Sequence, residues 1–294
     1  MGPRMILSVI NHTPIPDAHV QQAIRAINRQ IAGDFAPYWG MSATLRLEGK
    51  SAGQPETRAL RDMRGDGVIY LWNGKDPLAA LGFHEANHRG IPFGFVFTEL
   101  ARSLREQWTI SLSHEALEMT ADPECNLLVR GPHPSKRGAQ VFHYYEMCDA
   151  VQGETYEIDG VTVSNFVLPL YFTGQEEIGA RNDFLCAPHR DKRSAKKSTL
   201  RSFGINPGGY IAFFNPESGE DEMATLDGDK KAMRRLELKR AYGGGRRSVR
   251  YRRFASSAAA ASGTATGIAV AQTVETPSFV PVPEGVRIVK PENA

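Results

Sequence analysis

Residues 108–123, WTISLSHEALEMTADP, decide how the rest of the chain is read. The stretch reads as one amphipathic helix, stopped by Pro123. At roughly 100° per residue, His114, Glu118 and Asp122 fall along one stripe within about 80° of each other. Glu115 lies about a quarter-turn away, close enough to serve the same place. Leu112, Ala116, Leu117 and Met119 supply the apolar remainder.

Outward from this helix, the 294 residues suffice for one large domain or two modest ones. No apolar run approaches the roughly 20 residues of a membrane span, and MGPRMILSVINHTP lacks the pattern of a signal peptide. Cys125, Cys148 and Cys186 are odd in number and widely spaced, so they give no disulfide framework. A cytoplasmic, reducing compartment is the expectation. Charge is unevenly spread: residues 188–254 carry 17 Lys/Arg against 8 Asp/Glu, whereas residues 1–187 carry 16 against 22. An acidic body is therefore joined to a basic segment.

Before the helix, residues 5–12 form an apolar strand, and Ala18 to Ala32 carries Val20, Ala23, Ile24, Ile27 and Ile31 at helical spacing. Thr44–Leu47 and Val68–Trp72 read as strands. Residues 84–88, HEANH, match the zinc motif H-E-x-x-H letter for letter. A helix opened by Asp76 and Pro77 could carry them, but Gly82 and Asn87 argue against it. Strand Ala80–Phe83, a turn through Asn87–Gly90 and strand Phe93–Phe97 are preferred. On that reading His84, Glu85 and His88 match the motif by coincidence, and both histidines are loop residues.

After the helix, residues 140–149 resume regular structure. Tyr156–Ile158 and Val161–Val163 alternate about Asp159-Gly160, a type I′ hairpin signal. Tyr210–Phe214 is a further strand. A domain over 1–215, a basic extension over 216–254 and a low-complexity tail over 255–294 are expected, with most of 216–294 disordered or extended.

A strand followed by a helix bearing His-Glu-x-x-Glu resembles the zincin metallopeptidase superfamily. The runs DFAPYWG, LGFH, SHEALEMTADP, YYEMCDA and YEIDGVTVSNFVLP are similar to a bacterial and phage group of zincin-like proteins, over roughly residues 5–215. The resemblance implies an α+β fold with a mixed sheet and an active-site helix. It also implies a metal-dependent hydrolase, most simply a zinc peptidase. His114 and Glu118, one turn apart, would give two ligands to zinc or another divalent transition metal, and Glu115 would activate water. Glu118 in place of a histidine weakens the Lewis acid and the preference for zinc. Glu146 is the expected third ligand, with Asp149, His143 and Asp122 as competitors. Tyr144, Tyr145 or Tyr156 could steady a developing oxyanion. A peptide or protein substrate would pair with the Phe93–Phe97 edge.

Each of these residues has a plainer reading. One His and three acids on a helix face also describe a solvated surface laced with salt bridges. Loss of the second histidine also fits an inactive zincin-like protein, a binding or structural component of a phage or mobile element. Its basic residues 189–253, with Tyr242 and Tyr251 interleaved, could contact nucleic acid.

Overall fold

The apolar run near the N-terminus forms β1 (Arg4–His12), the spine of the first sheet. The computed structural model describes residues 4–49, 64–73, 81–87, 90–174, 180–190, 197–234 and 286–289. Helix α1 (Asp17–Arg29) follows, then a π-helical turn over Gln30–Phe35 and the short α2 (Ala36–Trp39). Val20, Ala23, Ile24 and Ile27 form the buried stripe of α1 at the spacing read from the sequence. β2 (Ser42–Glu48) and β3 (Gly67–Trp72) flank β1, both parallel to it. β4 (Gly82–Ala86) and β5 (Pro92–Phe97) make an antiparallel hairpin that sets His84 opposite Gly94. β5 runs parallel to β3, so the order is β2-β1-β3-β5-β4, with antiparallel β4 at the margin.

Helix α3 (Thr98–Ser103) leads into α4 (Trp108–Ala121), which packs against β4 and β5. Glycines let it come close. A Cβ on Gly94 would sit 3.2 Å from Met119 Cε, and one on Gly67 would sit 3.3 Å from Met119 Sδ.

The second half of the chain begins with β6 (Leu128–Pro132), β7 (Gln140–Tyr144) and the hairpin β8 (Thr155–Ile158) to β9 (Val161–Ser164). Asp159 and Gly160 both adopt positive φ, 51° and 73°, as a type I′ turn requires. β10 (His189–Arg190) and β11 (Lys197–Ser198) are a two-residue pair. β12 (Tyr210–Asn215), β13 (Glu220–Leu226) and β14 (Val286–Val289) complete an antiparallel sheet, ordered β14-β13-β12-β7-β6. One buried apolar cluster runs from Leu7 and Ile27 through Leu117 to Phe166 and Phe213, joining both sheets. The architecture is α+β with a mixed sheet. Among the described residues no helix is long and apolar enough to cross a membrane.

Three expectations need correction. The Phe93–Phe97 strand is not an edge: it lies between β3 and β4, and β4 forms the margin. The boundary expected at 215 falls inside the β12–β13 hairpin, where Gly219 N–H bonds back to the Asn215 carbonyl. Glu220, Asp221 and Glu222 disguise β13 as loop, yet Glu222 is buried and accepts bonds from Asn215 and Ser218. The polar stripe of α4 is not solvated either, since every residue from Ser111 to Ala121 is buried. Of the basic and low-complexity stretches, residues 191–196 and 235–285 lie outside the described residues.

His143, on β7, donates from Nε2 to the Pro132 carbonyl at 2.9 Å and lies against Phe203 and Phe213. Burial pushes its pKa from 6.5 down to about 4, more than the carbonyl bond restores. Because the folded value is the lower one, stability should be full above pH ~6.5. It should fall by up to about 3 kcal/mol toward pH ~4, as the unfolded chain takes a proton that the folded one refuses. Urea titrations between pH 7 and 4 test this: His143→Gln should flatten that part of the profile, and an unchanged slope would assign the loss elsewhere.

Candidate metal centre

The inward face of α4 meets two other segments of the chain. From the first sheet, Gly82, His84 and Ala86 form the buried face of β4, turned toward the helix. From the second half, the link after β7 brings Cys148 and the 3₁₀ turn Asp149–Val151 against His114 and Glu118. His84, His114, Glu115, Glu118 and Asp149 are each only 3–6% exposed.

Their polar atoms form a chain of close contacts. Asp149 Oδ1 lies 3.3 Å from His114 Nε2, which lies 3.1 Å from Glu118 Oε2. Glu118 Oε2 is 3.9 Å from His84 Nδ1, which is 3.2 Å from Glu115 Oε2. The other Glu118 oxygen, Oε1, accepts the Cys148 backbone N–H at 3.1 Å. That bond fixes which oxygen turns inward. His84 Nε2 lies 3.2 Å from the Asp122 carbonyl. A carbonyl only accepts, so this nitrogen carries the hydrogen.

Five buried ionisable groups must compensate one another. Burial opposes a charge on His114, but Glu118, Asp149 and Glu115 outweigh it and hold its pKa up to about 10. Burial likewise raises Glu118, but His114, His84 and the Cys148 N–H bring it down to about 2. At His84, burial is outweighed by the Cys125 sulfur and the Glu115 carboxylate, and its pKa stands well above the usual histidine range. Each imidazole therefore holds a proton tightly wherever no other cation takes its place.

The donor set suits a metal ion. A tetrahedral zinc with bonds of about 2.0–2.1 Å has ligand–ligand edges of roughly 3.3 Å, and the two contacts of His114 Nε2 match that edge. Asp149 Oδ1 is buried without a well-aligned hydrogen bond, as an oxygen meant for a cation would be. Two sets of three donor atoms each lie within 4.8 Å of one another: His114, Glu118 and Cys148, and His84, Glu115 and Glu118. The Cys148 thiol is the weakest of these donors. Burial and the charges of Glu118 and Asp149 push its pKa well up, and it donates to the His114 carbonyl.

The residues singled out from the sequence fall on both sides of this geometry. His114, Glu115 and Glu118 converge. Neither Glu146 nor Asp149 belongs to either set; Glu146 Oε1 accepts the Cys125 thiol at 3.8 Å, whereas Asp149 stands beside His114. Asp122 binds the backbone N–H groups of Asn126 and Leu127 and so closes the loop after the helix. His143 faces the Pro132 carbonyl on the second sheet. The Tyr156 hydroxyl donates to Asp34 and that of Tyr144 to Asp221. His84, expected in a loop, is a strand residue at the centre of the cluster. The letters HEANH and the run LGFH were its sequence signals, and Glu85 faces away on the alternate side of β4. His88 lies outside the described residues.

Gly82 leaves the space that Glu115 occupies: a Cβ there would come 2.6 Å from Glu115 Oε1 and 2.9 Å from its Cγ. Gly82→Ala should therefore cost about 1–3 kcal/mol by overpacking. Chemical denaturation should show most of that cost vanish in a Glu115→Ala background, where nothing remains to collide. Equal costs in both backgrounds would locate the strain elsewhere. No protein-family model matches the chain and no curated protein matches it, so its chemistry is read from these five side chains.

Proposed function

We propose that the chain is a zincin-like metal-dependent hydrolase, most simply a peptidase, whose metal is zinc or another divalent transition ion. One observation carries the reading: a buried imidazole and carboxylate one helical turn apart, His114 and Glu118, lie in contact, and His114 also meets Asp149 from a separate part of the chain. Asp149 replaces Glu146 as the third protein donor. The antiparallel strand beside the helix supports the same reading, because β4 pairs only with β5 among the described residues. An extended peptide can add to such an edge through main-chain hydrogen bonds.

A bound divalent ion supplies a Lewis acid that makes water acidic enough to attack near neutral pH. The chain supplies the rest. Glu118 is held ionised and aimed by the Cys148 N–H. Glu115 is buried beside the centre and in contact with His84, and in this reading it accepts the proton of the attacking water. A small cavity with room for about one water molecule, lined by Tyr144, Glu146, Asp149, Tyr171 and Ile211, lies on the Asp149 side. Deep burial of all five groups favours the second reading, a non-catalytic zincin-like protein in which the cluster only ties three segments together.

Metal analysis of the purified chain beside His114→Ala tests the proposal. The wild type should carry a divalent ion through His114 that the variant loses, and equally negligible metal in both would remove the idea. Glu115→Gln should keep the ion held through His114 while peptide hydrolysis falls by about 10²–10⁴-fold, the usual worth of a general base. Bound metal with no cleavage of any peptide library would select the non-catalytic reading.

A further inference from the structure

His84 does something that a single ion at His114 does not explain. Its Nε2–H is committed to the Asp122 carbonyl, so in the neutral ring the lone pair sits on Nδ1. That nitrogen faces two carboxylate oxygens, Glu115 Oε2 at 3.2 Å and Glu118 Oε2 at 3.9 Å. A lone pair aimed at two anions is repulsive, and something positive must lie between them. A proton on Nδ1 bonds the nearer oxygen, while the other, beyond its hydrogen-bond reach at 3.9 Å, has His114 Nε2 at 3.1 Å. A metal ion satisfies both at once. An imidazole whose far N–H is pinned by a backbone carbonyl is also how metal-binding histidines are ordinarily held.

The two imidazoles, of His84 and His114, divide between separate donor sets, and Glu118 is the member common to the two. Its Oε1 is occupied by the Cys148 N–H, leaving Oε2 to face both histidines. Either side of that oxygen the arrangement repeats: an imidazole nitrogen, then a further carboxylate, Glu115 with His84 and Asp149 with His114. Three carboxylates would leave a net negative charge buried around one divalent ion, which is unfavourable in a closed interior. Gly82 keeps open the room that Glu115 needs to reach inward.

We infer that the cluster is a dinuclear centre: a second divalent transition-metal ion lies between His84 Nδ1, Glu115 and Glu118, and Glu118 bridges it to the ion at His114 and Asp149. The inference rests on the metal reading above for the shared Glu118, but its own evidence is His84. Two nitrogens among three carboxylates suit Mn²⁺, Fe²⁺ or Zn²⁺, and paired ions of this kind lie roughly 3.5–4 Å apart.

The full chain, stripped with chelator and refilled separately with Zn²⁺ and Mn²⁺, gives the test. Elemental analysis counts the ions, electron paramagnetic resonance of the Mn²⁺ form reports whether two ions are coupled, and circular dichroism checks folding. The wild type should take two ions per chain, with the broadened spectrum of a coupled pair. His84→Ala and the more conservative His84→Asn should each take one ion and give an isolated six-line spectrum. His114→Ala should also keep one ion, and Glu118→Ala neither. A single ion in the wild type, unaffected at His84 and lost at His114, overturns the second position and leaves the hydrolase proposal standing. Two ions that persist in both His84 variants overturn it as well. No ion in the wild type overturns both proposals.

Discussion

Enclosing charge inside an apolar core is the constraint on which this structure turns. α4 buries one imidazole and two carboxylates, and burying an ionised group without a partner costs several kcal/mol. The fold meets that demand from both sides. β4 supplies His84, and the link after β7 supplies Asp149 together with the Cys148 N–H. Neither partner is local to the helix. The polar stripe of α4 therefore links the first sheet to the second half of the chain, alongside the apolar contacts around it.

The supporting shell follows from the same requirement. Gly67, Gly82 and Gly94 clear space on the sheet for Met119 and Glu115, so the helix can bring its acids down to His84. On another side, Ser113 donates to Gln30 in the π-helical turn, and Gln30 reaches Ser164 and Tyr156. That buried network ties α4 to the β8–β9 hairpin and restricts how the helix can rotate. Rotation matters, because His114 and Glu118 share their contacts only within a narrow range of helix orientation.

Local physics made much of the fold legible. α1 declares itself through Val20, Ala23, Ile24 and Ile27, and the β8–β9 hairpin through Asp159-Gly160, whose backbone takes the positive φ values that pair favours. The helix carrying His114 and Glu118 also stood out, through its spacing and Pro123. Partnerships across the chain did not. Whether His84 points toward α4 or away depends on the register of β4 against β5, and a shift of one residue would put Phe83 there instead. In the run Glu146-Met147-Cys148-Asp149 no repeating period applies, so nothing local says which acid turns inward. β13 hid behind three consecutive acids, one of them buried against Asn215 and Ser218.

The bond from Cys148 N–H to Glu118 spans 30 residues and the one between His84 and Glu115 spans 31. Cys125, Cys148 and Cys186 are all free thiols, so the described residues contain no covalent cross-brace. Cations held by Glu118 and Glu115 beside these contacts would act as reversible staples. Closing a loop of that length removes about 3–4 kcal/mol of unfolded-state entropy in the chain-entropy treatment of cross-links. Loading with metal and resistance to unfolding would then be one property, and the chain could gain by mineral chemistry the rigidity that disulfide-rich proteins take from oxidised sulfur.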